Sequence, residues 1–231
     1  LTKLMNTTSS DSVTFADVEN MVSLDLKSAV GTTTLDLNKG ALAGANDNLL
    51  ITVKGTSGTT VALTDNDALQ ALTLETVTIN SLSVANTLAD LQTTGTATSK
   101  LVVTGDKLLT ITAALDAEIL TVDASASTGG LTLSAAPAIG GITFIGSAGA
   151  DTITVSAGNT DITGGAGNDS VDFDATLNAL DIYDGGDGID TVEISGMGFT
   201  ATSVVGGLSD VEVLKLITAH TITLEGNISP T

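Results

Sequence analysis

Pairs of apolar residues that flank one threonine recur at a constant spacing along part of this chain, and this period limits the fold more than any other feature. The pairs are Leu109/Ile111, Leu120/Val122, Leu131/Leu133, Ile142/Phe144 and Ile153/Val155, which gives an 11-residue period. Alternation of apolar and polar residues predicts a strand with one buried face. Threonine suits the outer face of such a strand.

The segments between these pairs are rich in small and turn-forming residues, as in DASASTGG and SAAPAIGG. Short strands at even spacing indicate a sandwich, a barrel or a solenoid. The constant register favours a solenoid, because stacked coils place the same class of residue at the same height, and two segments would close a coil of about 22 residues. We therefore expect an all-β fold, a parallel β-solenoid (β-helix or β-roll).

Beyond Ile153 the period shortens to nine residues, and three segments share a pattern of glycine, small, any, glycine, any, aspartate, any, apolar, any. The segments are GSAGADTIT (146–154), GGAGNDSVD (164–172) and GGDGIDTVE (185–193). Their aspartates are Asp151, Asp169 and Asp190. Glycine adopts positive φ without penalty, so such turns can direct backbone carbonyls inward.

The spacing of these turns predicts a calcium site. Adjacent coils lie about 4.8 Å apart, roughly twice the calcium–oxygen distance of about 2.3–2.6 Å. One ion between Asp151 and Asp169 and a second between Asp169 and Asp190 could therefore be ligated from both neighbouring coils. The predicted Ca²⁺ ligands are Gly146, Ala148, Asp151, Gly164, Gly165, Ala166, Asn168, Asp169, Gly185, Asp187 and Asp190.

The three nonapeptides resemble the hemolysin-type calcium-binding repeats of RTX proteins. The resemblance implies a parallel β-roll around RTX-type calcium-binding turns, with folding that waits for extracellular calcium. Ser147 departs from the pattern, and Thr160 in VSAGNTDIT (155–163) stands where an acid is expected. The preceding threonine- and alanine-rich run is similar to the β-solenoid of bacterial S-layer proteins that carry RTX repeats. That similarity implies secretion and calcium-dependent assembly into a surface lattice.

Charge and composition exclude several classes of function. Seven lysines face 27 acidic residues, the net charge is −20 and arginine is absent, so we expect no binding of nucleic acid. Cysteine is absent, which excludes disulfides and thiolate metal sites. No apolar run is long enough to predict a transmembrane segment. His220 is the only histidine and no catalytic motif surrounds it, so we expect no enzymatic activity.

We expect four regions along the chain. These are an irregular β-rich solenoid segment (1–100), a regular solenoid of 11-residue period (101–145), an RTX-like calcium β-roll (146–195) and terminal strands of the same body (196–231). Within the first region and just after it we predict strands at 49–53, 61–63, 72–79, 81–84 and 101–103, and single helical turns at 67–72 and 86–91. Acids outside the pattern, Asp181 among them, are expected on the solvated surface, and GANDN (44–48) and TDNDA (64–68) are interpreted as turns rather than calcium loops.

The sequence thus predicts a structural protein of the extracellular bacterial surface, part of an S-layer subunit. Its expected partners are copies of itself in a lattice and a cell-surface anchor elsewhere in a longer chain. One alternative is the calcium-binding stalk of a type I secreted RTX adhesin or toxin. A second is a β-helical polysaccharide-degrading enzyme, which the lack of arginine and the scarcity of aromatic residues disfavour.

Overall fold

The computed structural model describes residues 2–38, 41–42, 46–65, 74–93, 98–135, 141–156, 158–174, 176–195, 200–201, 207–217 and 221–222. These residues form β-strands, turns and irregular segments without an α-helix. The described part of the chain accordingly has no helix long and apolar enough to cross a membrane.

The strands follow one another through short corners. In chain order they are β1 (Lys3–Thr7), β2 (Val13–Val18), β3 (Ser23–Lys27), β4 (Thr32–Leu37), β5 (Asn48–Lys54), β6 (Ser57–Asp65), β7 (Thr76–Leu82), β8 (Asn86–Gln92), β9 (Lys100–Gly105), β10 (Leu109–Leu115), β11 (Thr121–Ser127), β12 (Leu131–Ala135), β13 (Thr143–Ile145), β14 (Thr152–Val155), β15 (Asp161–Ala166), β16 (Ser170–Asp172), β17 (Ile182–Asp187), β18 (Thr191–Ile194), β19 (Thr200–Ala201), β20 (Leu208–Ser209), β21 (Val213–Leu216) and β22 (Thr221–Ile222).

Two parallel sheets of ten strands make up the body, which is the predicted parallel β-solenoid. Sheet 1 has the order β1-β3-β5-β7-β9-β11-β13-β15-β17-β20, and sheet 2 has the order β2-β4-β6-β8-β10-β12-β14-β16-β18-β21. Strands alternate between the sheets, so each coil contributes one strand to each sheet. A separate pair, β19 and β22, is also parallel.

The register between coils matches the sequence periods. Thr121 pairs with Thr143, two periods of the regular segment later, which confirms a coil built from two such segments. The next coils follow the glycine-rich pattern instead, because Thr152 pairs with Ser170 and Ser170 pairs with Thr191. The earlier coils vary more, because their corners differ in length.

The core is one continuous stack of apolar side chains between the sheets. Sheet 1 contributes Val122, Phe144 and Ile162, which stack on one another through the strand register. Sheet 2 contributes residues such as Leu109 and Leu131, which are fully buried. The threonines that alternate with these residues face outward, as predicted.

Two predictions require correction. Leu120 is 46% exposed, because it lies in the corner before β11, where Ile119 is the buried residue. The segment 86–91, predicted as a helical turn, lies in strand β8. Its apolar residues Leu88 and Leu91 are buried in the core, and this tertiary packing overrides the local signal of an asparagine cap.

The predicted strands at 49–53, 61–63 and 101–103 are confirmed within β5, β6 and β9. The predicted strand at 72–79 begins only at Thr76 among the described residues, and the one at 81–84 ends at Leu82. Residues 66–73, which include the helical turn predicted at 67–72, lie outside the described residues, as do 44–45 of GANDN and His220.

Candidate metal centre

The three aspartates of the repeated pattern lie at the edge where the chain passes from sheet 1 to sheet 2. Strands β15 and β17 extend through Ala166 and Asp187, so the corners themselves are short, 167–169 and 188–190. Each aspartate immediately precedes a strand of sheet 2. Because those strands are in register, Asp151, Asp169 and Asp190 stack directly on one another.

Backbone hydrogen bonds join this stack into a ladder. The N–H of Asp151 donates to Oδ1 of Asp169 at 2.8 Å, and the N–H of Asp169 donates to Oδ1 of Asp190 at 2.8 Å. The N–H of Asp190 donates in turn to Oε2 of Glu212 at 2.7 Å. We call Asp151, Asp169, Asp190 and Glu212 the acidic column. In each of these links the carboxylate accepts from the coil on its N-terminal side.

Two carboxylates of the column are buried with one oxygen that has no partner. Asp169 and Asp190 are 2% and 0% exposed, and the Oδ2 atom of each makes no hydrogen bond. A buried carboxylate oxygen without a donor or cation carries a large desolvation cost. This is the feature of the column that points to a positively charged ligand.

Asp151 differs because its own corner satisfies it. The N–H of Ser147 donates to Oδ2 at 2.7 Å, and Oγ of Ser147 donates to Oδ1 at 3.0 Å. The departure of Ser147 from the glycine pattern therefore supplies a hydroxyl donor that the glycines of the other two corners lack. On this geometry the interval between Asp169 and Asp190 is the better candidate for a cation than the interval between Asp151 and Asp169.

The glycines at the first place of the pattern keep space open beside the unpartnered oxygens. A Cβ on Gly164 would collide with Oδ2 of Asp169 and with the carbonyl oxygen of Gly185 in the next coil. A Cβ on Gly185 would lie 2.7 Å from Oδ2 of Asp190 and would collide with the carbonyl of Asp210. Each unpartnered carboxylate oxygen therefore faces the same small space as a backbone carbonyl from the following coil.

This donor set fits a hard divalent cation. Within the described residues no group of three or more acidic or histidine side chains is placed to hold a metal, so carbonyl oxygens would have to complete the coordination. Calcium accepts such mixed sets of carboxylate, carbonyl and water oxygens. Asp169, Asp190 and the carbonyl of Gly185 would supply ligands to an ion in that interval.

Burial makes these acids hard to ionise. It is the main cause of the rise in the pKa of Asp169 to about 7, and the nearby charges of Asp151 and Asp190 also contribute to this rise. Burial likewise raises the pKa of Asp190 and of Asp151. A bound cation would reverse this effect by favouring the carboxylate form.

Several predicted ligands lie on the outer side of the corners. The side chains of Ala148, Asn168 and Asp187 are exposed. The Oδ1 atom of Asn168 accepts the N–H of Ile189 at 3.0 Å, which links two corners on the solvent side. Ala166 donates its N–H to the carbonyl of Ser147, so its backbone also ties neighbouring coils. The structure brings the side chains of the three aspartates together and leaves the three exposed residues at the rim.

Two further residues belong to this region and were not predicted. Tyr183 is fully buried, and its hydroxyl has no hydrogen-bond partner. Burial, followed by the charges of Asp190 and Asp169, raises the pKa of this phenol. Glu212 continues the column, and its place in a glycine-poor segment gave little signal in the sequence.

Asp181, expected on the solvated surface, is buried at the opposite edge of the solenoid, so that expectation was wrong. Its Oδ1 accepts from the N–H and Oγ1 of Thr160, and its Oδ2 accepts from the N–H and Nδ2 of Asn178. Four donors satisfy this carboxylate completely. Asp181 shows that this fold can bury an aspartate without a cation when donors satisfy both oxygens. Asp169 and Asp190 lack such donors at Oδ2.

Comparisons with known proteins identify no relative from which a role of this site could be inferred. No family model matches the chain, and no curated protein or solved structure matches it at a significant level.

Proposed function

We propose that this chain is a calcium-stapled structural element of a bacterial cell-surface protein, part of an S-layer subunit. Ca²⁺ bound between the corners of Asp169 and Asp190 completes the C-terminal part of the solenoid. The observation that carries the proposal is the pair of buried carboxylate oxygens, Oδ2 of Asp169 and Oδ2 of Asp190, that have no partner and face glycine-lined space.

Charge repulsion supplies the switch. Fifteen acidic residues and no lysine lie between residues 108 and 214, and the acidic column stacks several of those carboxylates coil upon coil. Without a cation, their repulsion and desolvation oppose the folded state. Binding of Ca²⁺ offsets both costs, so its binding free energy becomes folding free energy. A secreted chain would then become rigid where calcium is abundant.

The rigid parallel solenoid is compatible with a spacer or lattice element. Its two sheets hold neighbouring coils through continuous backbone hydrogen bonds, and its core is buried along the length of the described body. The acidic surface favours solvation and divalent cations over contacts with other polyanions. The lattice itself is the part of the proposal that rests on the similarity of the threonine- and alanine-rich run to S-layer solenoids.

Isothermal titration with CaCl₂ tests the cation site. The wild-type chain is compared with an Asp169→Asn/Asp190→Asn variant and with a matched Asp123→Asn variant, which alters an acid of β11 that is paired with Lys100. We expect binding to be lost in the double variant and kept in the control. Equal binding in all three chains would overturn the site.

Electron microscopy of the longer secreted protein, with and without calcium, tests the lattice. Ordered sheets in calcium that disperse in chelator support an S-layer subunit. Isolated rods that stiffen in calcium without forming sheets would overturn the lattice and favour the stalk of an RTX adhesin or toxin.

A further inference from the structure

Asn86 occupies the same position in the coil as the aspartates of the acidic column. It lies at the passage from sheet 1 to sheet 2, directly before Thr87, and pairs in register with Leu109. It is 1% exposed. Its Oδ1 accepts the N–H of Thr56, one coil earlier, at 3.0 Å. This bond repeats the link in which Oδ1 of Asp169 accepts the N–H of Asp151.

The second atom of the Asn86 amide has partners where the aspartates have none. Nδ2 lies 2.9 Å from Oγ of Ser81, 3.1 Å from the carbonyl oxygen of Leu82 and 2.7 Å from the carbonyl oxygen of Val84. These residues precede Asn86 by five, four and two positions. The amide hydrogens therefore satisfy the oxygens that this corner directs inward.

The same offsets from Asp169 give Gly164, Gly165 and Gly167. The unpartnered Oδ2 of Asp169 lies against Gly164, five residues before it, as Nδ2 of Asn86 lies against Ser81. In Asp190 the oxygen Oδ2 lies against Gly185 in the same way. At Asp169 an oxygen thus stands where Asn86 carries a hydrogen-bond donor, and the carbonyl oxygen of Gly185 shares that space. A cation, or a proton on Oδ2, would make that exchange favourable.

We infer that the residue at this position of each coil decides whether the corner needs a cation, and that the amide of Asn86 takes the place that Ca²⁺ takes beside Asp169 and Asp190. The cation part of this inference rests on the proposed function. The solenoid therefore has a metal-independent part, up to β12, and a metal-dependent part that begins after it. The first part folds without calcium, and its last strands, β11 and β12, then provide the sheet edges with which β13 and β14 of the second part pair.

The test replaces asparagine by aspartate at one of these positions and aspartate by asparagine at another, each as a single substitution in the whole chain. Amide hydrogen exchange is measured in chelator and in saturating CaCl₂ for the wild type and for Asn86→Asp, Asn86→Ala and Asp190→Asn variants. In Asn86→Asp we expect segment 74–93 to exchange about tenfold or more faster than wild type in chelator and to regain protection in calcium. In Asn86→Ala the loss of protection is expected to persist in calcium, because no carboxylate is present.

Asp190→Asn keeps the inference falsifiable if the Asn86 variants fail to fold. We expect its segment 185–193 to exchange more slowly than wild type in chelator, because the amide supplies donors without metal. Faster exchange there, or loss of protection in Asn86→Asp that calcium does not restore, would overturn the inference. The wild-type chain separates the two proposals: calcium that leaves its segment 146–193 unchanged overturns the proposed function, whereas slower exchange in Asp190→Asn still supports the inference that the residue at this position decides whether the corner is satisfied.

Discussion

The backbone N–H of Asp151 donates a 2.8 Å hydrogen bond to Oδ1 of Asp169 in the next coil. One oxygen of a buried carboxylate is thereby committed to holding two coils together, and the other oxygen, Oδ2, is left without a partner. The same arrangement recurs between Asp169 and Asp190. The same carboxylate therefore links two coils through Oδ1 and carries a buried, unpartnered Oδ2 that a cation would stabilise.

Removal of calcium is expected to loosen residues 146–193 first. The acidic column then keeps its repulsion, whereas the two neighbouring coils that contain Leu109 and Leu131 are held by apolar packing. Hydrogen exchange in chelator should therefore accelerate in 146–193 and stay slow in 100–135. Circular dichroism gives an independent check, since strand content that is unchanged by chelator would contradict the expectation.

The metal-free protein should lose stability as pH rises. The pKa of Asp169 is about 7 in the folded chain, compared with an ordinary value of 3.8. Between these two pH values the folded state holds a proton that the unfolded chain has released. Stability is then greatest below the ordinary pKa and declines as pH rises through the folded pKa. Thermal melts in chelator between about pH 4 and about pH 8 measure the slope. In saturating calcium the decline should disappear, and a decline of equal size would contradict a bound cation.

Gly164→Ala should prevent calcium binding. Its Cβ would occupy the space shared by Oδ2 of Asp169 and the carbonyl of Gly185. Gly58→Ala is the control, because its Cβ would meet nothing within 4 Å although φ is +81°. Both variants are expected to lose stability, by about 1 kcal/mol or more, but only Gly164→Ala should lose the heat of calcium binding. Retention of wild-type affinity in Gly164→Ala would place the ion elsewhere.

Ser147→Ala should destabilise the chain with or without calcium. Oγ of Ser147 donates to Oδ1 of the buried Asp151, and hydrogen bonds to charged groups contribute about 1.5–3 kcal/mol. Ser125→Ala removes a similar bond to Asp123 on the exposed surface and should cost at most about 0.5 kcal/mol. Urea unfolding of the two variants measures the difference, and equal costs would show that burial of Asp151 adds nothing.

Tyr183 should report a lanthanide in the site. It is the only tyrosine, and tryptophan is absent, so ultraviolet excitation of terbium must pass chiefly through this ring. Tyr183 lies in β17 two residues before Gly185, which lies against Oδ2 of Asp190, so the ring is near the column. Terbium luminescence should appear on titration, decrease when calcium competes and vanish in Tyr183→Phe. Emission that survives this substitution would show that terbium binds away from the acidic column.

Sequence periodicity was sufficient to predict the parallel solenoid, because the core alternation of Val122 and Phe144 repeats at the length of a coil. It failed at corners: Leu120 has the pattern of a core residue, but a corner places it in solvent. Pattern also identified Asp169 and Asp190. It could not show that Ser147 satisfies Asp151, because that depends on where a hydroxyl points.

Asn86 had no glycine-rich pattern around it, and its equivalence to the aspartates of the column follows only from strand register. Asp181 was missed for a similar reason. Its burial depends on donors from Thr160, in the preceding coil, and from Asn178, within its own. Which residues of neighbouring coils face each other depends on the strand register. A period in the sequence predicts this register only where every coil has the same length.

Every link of the acidic column runs the same way, from an N–H in one coil to a carboxylate in the coil that follows. Within the column, the carboxylate of Asp169 is held by the coil before it, and the N–H of Asp169 is held by the coil after it. A chain truncated after Asp169 would leave the N–H of Asp169 without its acceptor, Oδ1 of Asp190. The direction of these hydrogen bonds, and not only the composition of the corners, therefore determines which donor a truncation leaves without a partner.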